Sequence, residues 1–431
     1  MQVCNTLFSI AVVWVARTLG IHSVYNSEFT IFTITSGGRL DSFVIADLFV
    51  LLFLGLADNQ MIAALLPALL GSLHVRVGVA GLLVAVYALT AALASFISGF
   101  LSDHYGRRRF LLLGALLFAV SSWAASRTGT FPELVLARAL TGFAAGTLST
   151  CSITYAADWF EYSVRGRALG LISSAYFAAP ILGVPLAAQI ADRYGWRRAF
   201  LLFAILALAI AALSLSLPKD KFNPELSSDK LRAAGRSFRL FLLRRDTAAA
   251  LGIGFLVSGG LVGFLTYVGQ WLNGRFAIST RTIGWVFMLG GLVAFGSAPL
   301  GGIISDRVGK RSVAIVSNII LALAVASIPL LSWGPWLLVV FSVASLGAAF
   351  RQGPLTALIS ELVPSTQRGA FIALRNIFSQ TGIGMTAFLG GLLYERHGYG
   401  AVTTLCAVMT ALVVLLLITH IVEPQPIQER V

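Results

Sequence analysis

Charge is scarce in this chain: Asp, Glu, Lys and Arg make up 11% of its 431 residues, whereas 57% are hydrophobic. A soluble fold typically carries about 25% charged residues, so a water-exposed globular domain is excluded. The mean hydropathy of +0.86 points to a bilayer as solvent. Cysteine is nearly absent as well. Cys4, Cys151 and Cys406 lie in or beside apolar segments without paired spacing, which speaks against a disulfide scaffold and suggests buried free thiols. No cluster of metal ligands, nucleophile elbow or phosphate-binding loop is present, and the Gly-rich stretches fall inside apolar runs. Neither enzyme chemistry nor a cofactor or metal is expected.

Acids are the scarcer charge: 18 against 31 basic residues, a net charge of +13. Such an excess suits nucleic acid only if the basic residues converge on one patch, and here they alternate between connections. Apolar runs of about 20 residues mark twelve helices. They start near Phe43, Gly78, Phe110, Pro132, Arg167, Arg197, Thr247, Thr282, Ser312, Trp336, Ala370 and Tyr399. The even-numbered connections carry 17 Lys and Arg residues, among them Arg107, Arg165, Lys310 and Arg368, and the odd-numbered ones carry 8. By the positive-inside rule both termini are expected in the cytoplasm of a cell whose inner membrane holds the chain. Nucleic acid is not an expected partner; the bilayer is.

What the chain does have is an internal repeat. Gly99-Phe-Leu-Ser102-Asp103-His-Tyr-Gly106-Arg107-Arg108 is echoed by Gly302-Ile-Ile-Ser305-Asp306-Arg-Val-Gly309-Lys310-Arg311, 203 residues later. Asp158 with Arg165-Gly166 matches Glu361 with Arg368-Gly369 at the same offset. Two landmarks in one register make the chain two copies of an ancestral unit. Internal symmetry in an all-helical membrane protein is the mark of a transporter.

The expected organisation is an uncertain extension at 1–42, a six-helix bundle at 43–217, a cytoplasmic linker at 218–246, a second bundle at 247–422 and a cytoplasmic tail at 423–431. The apolar stretch from Ala11 to Ala16 lacks the basic flank of a signal peptide and is not counted as a thirteenth span. In the linker, Leu231, Phe238, Leu240 and Phe241 stand among basic residues, a pattern open to an amphipathic surface helix or a solvated connector.

These motifs resemble those of the major facilitator superfamily, and within it the twelve-helix drug:proton antiporters and sugar-efflux permeases. The twin loop is that family's hallmark between helices 2 and 3 and again between helices 8 and 9. Arg138-xxx-Gly142-xxx-Gly146 is similar to its helix 4 motif. Ala179-Pro180-Ile-Leu-Gly183-Val-Pro185 stands where the antiporters carry a glycine-proline motif, with Ala179 in place of the usual glycine. The resemblance spans about residues 43–420. It implies two pseudo-symmetric six-helix bundles that alternate access to a central cavity, proton-coupled export of a small organic molecule, and a monomer. Uptake of an organic anion or sugar by symport or facilitated passage is the alternative.

Physical reasons accompany each motif. Gly99 and Gly302 permit close packing of a helix end, and Gly106 and Gly309 permit a tight turn. Asp103 and Asp306 suit the positive N-terminal ends of other helices. By pseudo-symmetry their targets are helix 11 near Gly369 and helix 5 near Gly166, which would latch the halves on the cytoplasmic side, with Arg107, Lys310, Arg165 and Arg368 around them. Anchoring of the arginines to lipid phosphate is the plainer reading. Pro180 and Pro185 weaken helix 5 while Gly183 allows close approach, so a bend there serves either gating or packing.

Ionisable groups in a membrane are costly and mark function. Asp58 lies about fifteen residues into helix 1, near the midplane at about 1.5 Å per residue. It is the proton-coupling group, a ligand for a substrate cation, or half of a structural ion pair. Asp47, one turn inside the cytoplasmic end, is expected to reach the headgroups. Partners for Asp58 are Arg138, which the resemblance implicates in proton transfer and which is also near enough to the outer end to snorkel, and Arg351 in helix 10, which has no basic counterpart in the first half and suits an anionic substrate group. Arg375 is expected at the headgroups. The resemblance places helices 1, 4, 7 and 10 around the cavity, making Asn59, Gln60, Thr147, Tyr267, Gln270, Trp271 and Gln352 substrate candidates, with Tyr87, Tyr176, Asn376 and Gln380 on flanking helices.

Overall fold

The computed structural model describes residues 39–218, 238, 240–364 and 367–421. The Ala11–Ala16 stretch, most of the linker and the tail lie outside them. The described residues from Ile45 onward belong to one compact unit, and of the segment before it only the start of the first helix is described.

Among the described residues twelve long helices make up the fold, and no strand occurs. They are α1 (Arg39–Leu73), α2 (Val77–Tyr105), α3 (Arg107–Arg127), α4 (Phe131–Trp159), α5 (Tyr162–Tyr194), α6 (Trp196–Ser214), α7 (Arg245–Phe276), α8 (Thr280–Val308), α9 (Lys310–Ser327), α10 (Pro335–Glu361), α11 (Arg368–His397) and α12 (Tyr399–His420). Eleven are long and apolar enough to cross a membrane by length and composition alone. The exception is α11, where Arg375, Asn376, Ser379, Gln380 and Thr381 dilute the apolar residues. A helix this polar needs protein neighbours or water beside it.

Local chemistry sets the helix ends. Glu133 accepts from the backbone N–H groups of Gly129 and Thr130, at 2.8 and 3.3 Å, and so caps α4. Ser279 accepts from the N–H of Thr282 at the start of α8. Among the described residues four glycines have positive φ: Gly106 (92°), Gly195 (85°), Gly309 (102°) and Gly398 (73°). Each joins two helices end to end, and they form two pairs, Gly106 with Gly309 and Gly195 with Gly398, at the repeat offset. A side chain at any of the four would be strained.

Within the first bundle α2 packs on α4, and α3 on both α4 and α6; within the second α7 packs on α11 and α12, and α10 on α8 and α9. Gly142 and Gly146 lie against Tyr87 and Ala91 of α2, so closely that a Cβ on Gly146 would come 2.7 Å from the Ala91 Cα. Without a hydrophobic drive between helices in lipid, such small residues let dispersion hold them. The bundles meet through α2 with α11 and α5 with α8.

Those inter-bundle contacts crowd toward the face opposite the Gly106 and Gly309 loops. Arg76 pairs with Glu395 at 3.5 Å, a Cβ on Gly391 would lie 2.6 Å from the Gly78 carbonyl, and a Cβ on Gly284 would lie 2.7 Å from the Ala188 Cβ. At the loop face, a Cβ on Gly166, Gly302 or Gly369 would meet open space, and the nearest atom to a Cβ on Gly99 would be Thr150 Cγ2 at 3.9 Å. The structure is thus closed opposite the loops and parted beside them. The close packing expected at Gly99 and Gly302 is absent for that reason.

Candidate functional site

The centre of the first bundle holds an ion pair. Arg138 of α4 donates from Nη1 to Oδ2 of Asp58 on α1, and neither residue has any solvent exposure. Tyr87 of α2 completes the group: its ring centroid lies 4.3 Å from the guanidinium carbon, and its hydroxyl donates to the Gly55 carbonyl at 2.7 Å. A guanidinium over an aromatic face is held by the ring quadrupole, most strongly when desolvated. Asp58 Oδ1 and the Nε and Nη2 of Arg138 are buried without a hydrogen-bond partner. A pair left that incompletely satisfied is sensitive to any change in its charge. Of the two arginines offered as partners for Asp58 it is therefore Arg138 that meets it, and Arg138 does not snorkel.

The second bundle is built differently. At the repeat offset, Asp58, Tyr87 and Arg138 correspond to Leu261, Gly290 and Phe341, and the Phe341 ring fills the space a Cβ on Gly290 would need. Its own buried arginine, Arg351, donates from Nη1 to Asn318 Oδ1 of α9 at 2.8 Å and from Nη2 to the Val257 carbonyl of α7 at 3.1 Å. Asn318 was missed in the sequence, although a lone amide in the apolar run of α9 is itself a signal.

One placement corrects the sequence reading, and a second shows how a long side chain packs along its stem. Asp47 does not reach the headgroups: it is buried, and both its oxygens lie within 3.0 Å of the Ser214 hydroxyl on α6. Arg375 lies against Gly254 of α7, where a Cβ would stand 3.0 Å from its Cγ, and its Nε is buried without a partner. Residue counting along a helix gives depth but not the direction in which a side chain leaves the axis.

The remaining candidates divide. Asn59, Gln60 and Gln270 are half-buried, and Asn59 Oδ1 and Gln270 Oε1 have no hydrogen-bond partner. They sit where α1 meets α7, since a Cβ on Gly269 would press on the Ala63 carbonyl. Gln352 and Asn376 are exposed, and Thr147 is buried. Tyr267 does not line a cavity here: its side chain is fully buried and its hydroxyl donates to the Ala387 carbonyl of α11 at 2.5 Å. Trp271 is likewise packed, stacked on Tyr399 at 5.0 Å.

In α5, Ala179–Gly183 form a π-turn, the widened turn that proline at 180 and 185 favours by withholding backbone donors. Pro180 and Ile181 pack on Gly291, and Pro185 on Gly284, both on α8. Gly183 faces the other way, onto Ala57 beside Asp58. The motif therefore touches both the partner bundle and the ion-pair helix.

At the loop face the repeat landmarks meet one another. Arg107 Nη2 bridges Asp103 Oδ1 at 2.8 Å and Asp158 Oδ2 at 3.1 Å, and Lys310 meets Glu361 at 2.9 Å. Arg108 donates to the Leu215 carbonyl and Arg311 to the Ile418 carbonyl, again positions 203 apart. Asp103 and Asp306 are exposed, and in this conformation neither is seen to bond α11 or α5. Arg165 donates from Nε to the Phe160 carbonyl, and Arg368 is exposed.

A duplicated six-helix membrane unit with a buried acid–base pair defines a secondary transporter. The sequence profile of the Major Facilitator Superfamily matches residues 48–275 and again 250–430, and the chain belongs to that family. An MFS-type transporter of Bacillus subtilis is 24% identical over 361 residues, covering 83% of this chain and 86% of its own length. A chloramphenicol efflux pump of Mycobacterium tuberculosis is 28% identical over 340 residues, covering 77% and 81%. The fold is also that of a D-xylose-proton symporter, with a TM-score of 0.74 at 18% identity over 89% of this chain and 98% of that one. The protein is a multi-pass membrane transporter and not an enzyme.

Proposed function

We infer that this transporter exports a small organic molecule in exchange for protons, with Asp58 as the proton carrier. The observation that carries the reading is the Asp58–Arg138 pair, buried in the membrane interior and incompletely hydrogen-bonded. A proton arriving on Asp58 cancels its charge and releases Arg138, and loss of the proton restores the attraction. Each protonation state thus favours a different packing of α1 against α4, which is what coupling requires. The π-turn of α5 leans on Ala57 and on α8, so a shift of α1 passes to the bundle interface. Export is supported by the helix 5 motif and by the likeness to a named efflux pump.

In this scheme the loops lie on the cytoplasmic side of the inner membrane, a placement that the distribution of basic residues supports. The conformation described is then open to the cytoplasm. On closure Asp103 moves to the α11 terminus near Gly369 and Arg368, and Asp306 to α5 near Gly166 and Arg165, forming latches that break when the cytoplasmic side reopens. The bundles at 43–217 and 247–422 rock about the central site as a monomer, with Asn59, Gln60, Gln270 and Gln352 bordering the substrate path.

The test is proton movement in proteoliposomes holding an internal pH dye, challenged with cationic, neutral and anionic compounds. Proton flux opposite to the compound establishes exchange. Flux in the same direction would overturn export in favour of symport, and transport with no proton signal would remove Asp58 from the coupling role.

A further inference from the structure

The membrane-embedded charges of the two bundles do not match. The first bundle holds Asp47, Asp58 and Arg138; the second, among the described residues, holds Arg351 and Arg375, and its acids Asp246, Asp306, Glu361 and Glu395 all stand in the end turns of their helices. Desolvated cations without a counter-ion are costly, and a transporter retains them where a ligand supplies the missing charge.

The two arginines approach one turn of α7. Arg375 lies beside Gly254, and Arg351 donates to the carbonyl of Val257, three residues on. Ser379, one turn after Arg375, donates to the Gly254 carbonyl at 3.2 Å. Both Nη atoms of Arg351 are engaged by neutral acceptors, while its Nε, like that of Arg375, is buried with no partner. Arg351 itself is 1% exposed, flanked by the exposed Gln352 and Gly353, and Asn376 beside Arg375 is exposed too. Two donor-rich groups of one sign therefore flank the same turn of α7, Arg351 reaching it from α10 and Arg375 from α11.

We propose that Arg351 and Arg375 form an anion site that holds the carboxylate of the transported compound, so that the substrate is a small organic anion. This rests on the transporter reading and narrows its substrate class. A carboxylate fits because guanidinium donors lie in a planar fork that a carboxylate matches with two parallel hydrogen bonds. Charge is then divided between the bundles: the proton binds in the first and the anion in the second, so that rocking links them without direct contact.

The site is tested without knowing the substrate. In a variant with Cys4, Cys151 and Cys406 changed to Ser, Ser379→Cys supplies a thiol beside Arg375, and its reaction with anionic and cationic methanethiosulfonate reagents is compared with that of mercaptoethanol. We expect the anionic reagent to be favoured about tenfold beyond the free-thiol ratio, the size of a nearby charge interaction of about 1.4 kcal/mol. Arg375→Gln and Arg351→Gln abolish that preference, Arg375→Lys retains it, and benzoate but not benzamide slows the reaction. An unreactive thiol, no anionic preference, a preference surviving both Gln variants, or equal effects of benzoate and benzamide overturns the proposal. Asp58→Asn leaves the preference intact, and none of these readouts requires transport, so failure of proton exchange and failure of the anion site are separable.

Discussion

Gly183, on the π-turn of α5, packs directly on Ala57 of α1, the residue before Asp58, and a Cβ at position 183 would overlap the Ala57 methyl and lie 3.2 Å from the Phe53 ring. The turn is wedged between the ion-pair helix and α8, where Ile181 fills the space beside Gly291. Movement of α1 therefore displaces α5 at the bundle interface. Gly183→Leu should cost about 1–3 kcal/mol by overpacking and block transport more severely than it lowers stability. Scanning fluorimetry with flux in proteoliposomes checks this; a folded Leu variant that transports at the normal rate would remove α5 from the coupling path.

The Asp58–Arg138 pair makes a second prediction. Removing one member of a buried pair strands the other charge, at about 3–5 kcal/mol, whereas replacing both with neutral groups is far milder. Asp58→Asn and Arg138→Met should each lower the thermal midpoint, and the double variant should recover most of the loss. All three should be unable to move substrate against its gradient. A double variant no more stable than the singles would show that the pair does not act as a unit, and uphill transport by Asp58→Asn would sink its proton role.

How far the sequence foretold the site depends on which dimension is asked for. The repeat offset located both loops, and the same offset accounts for the bonds Arg108 and Arg311 make to Leu215 and Ile418. Apolar run lengths yielded twelve helices, even for α11, despite the polar residues that dilute it. Rotation about each axis was not legible. Asp47 was assigned to the headgroups from its depth, yet it faces Ser214 on α6; Tyr267 was assigned to the cavity from its helix, yet it points at α11. Nor does a sequence encode one conformation of a molecule that must adopt two, which is why the packing expected at Gly99 and Gly302 is absent here.

The face opposite the loops offers a reversible lock. The Arg76–Glu395 pair is largely exposed, so breaking it with Arg76→Ala should change stability by no more than about 0.5 kcal/mol. A covalent link there is another matter. A Cβ on Gly78 would lie 3.5 Å from the Glu395 Cβ, at the short end of the separation a disulfide spans. With the native cysteines replaced by Ser, Gly78→Cys with Glu395→Cys should cross-link on oxidation, stop transport, and regain it on reduction. A cross-linked protein that still turns over would show that this face need not open.

The same lock tests the loop latches. If the halves rock, closing the loop face brings Asp103 to the α11 terminus, where its carboxylate meets unsatisfied N–H groups. Cysteines at Gly99 and Ala373, one turn inward from Asp103 and Gly369, would then approach each other, although Gly99 now has only Thr150 near it and Ala373 is exposed. We expect a short bifunctional thiol reagent to join this pair under transport conditions and to fail when the 78–395 disulfide holds the opposite face shut. Asp103→Asn should reduce the yield severalfold while leaving the 78–395 link unaffected, because the carboxylate stabilises only the closed loop face. Equal yields with and without the lock would mean that the two faces move independently, and an unchanged yield in Asp103→Asn would assign the aspartate to holding Arg107 within its own loop.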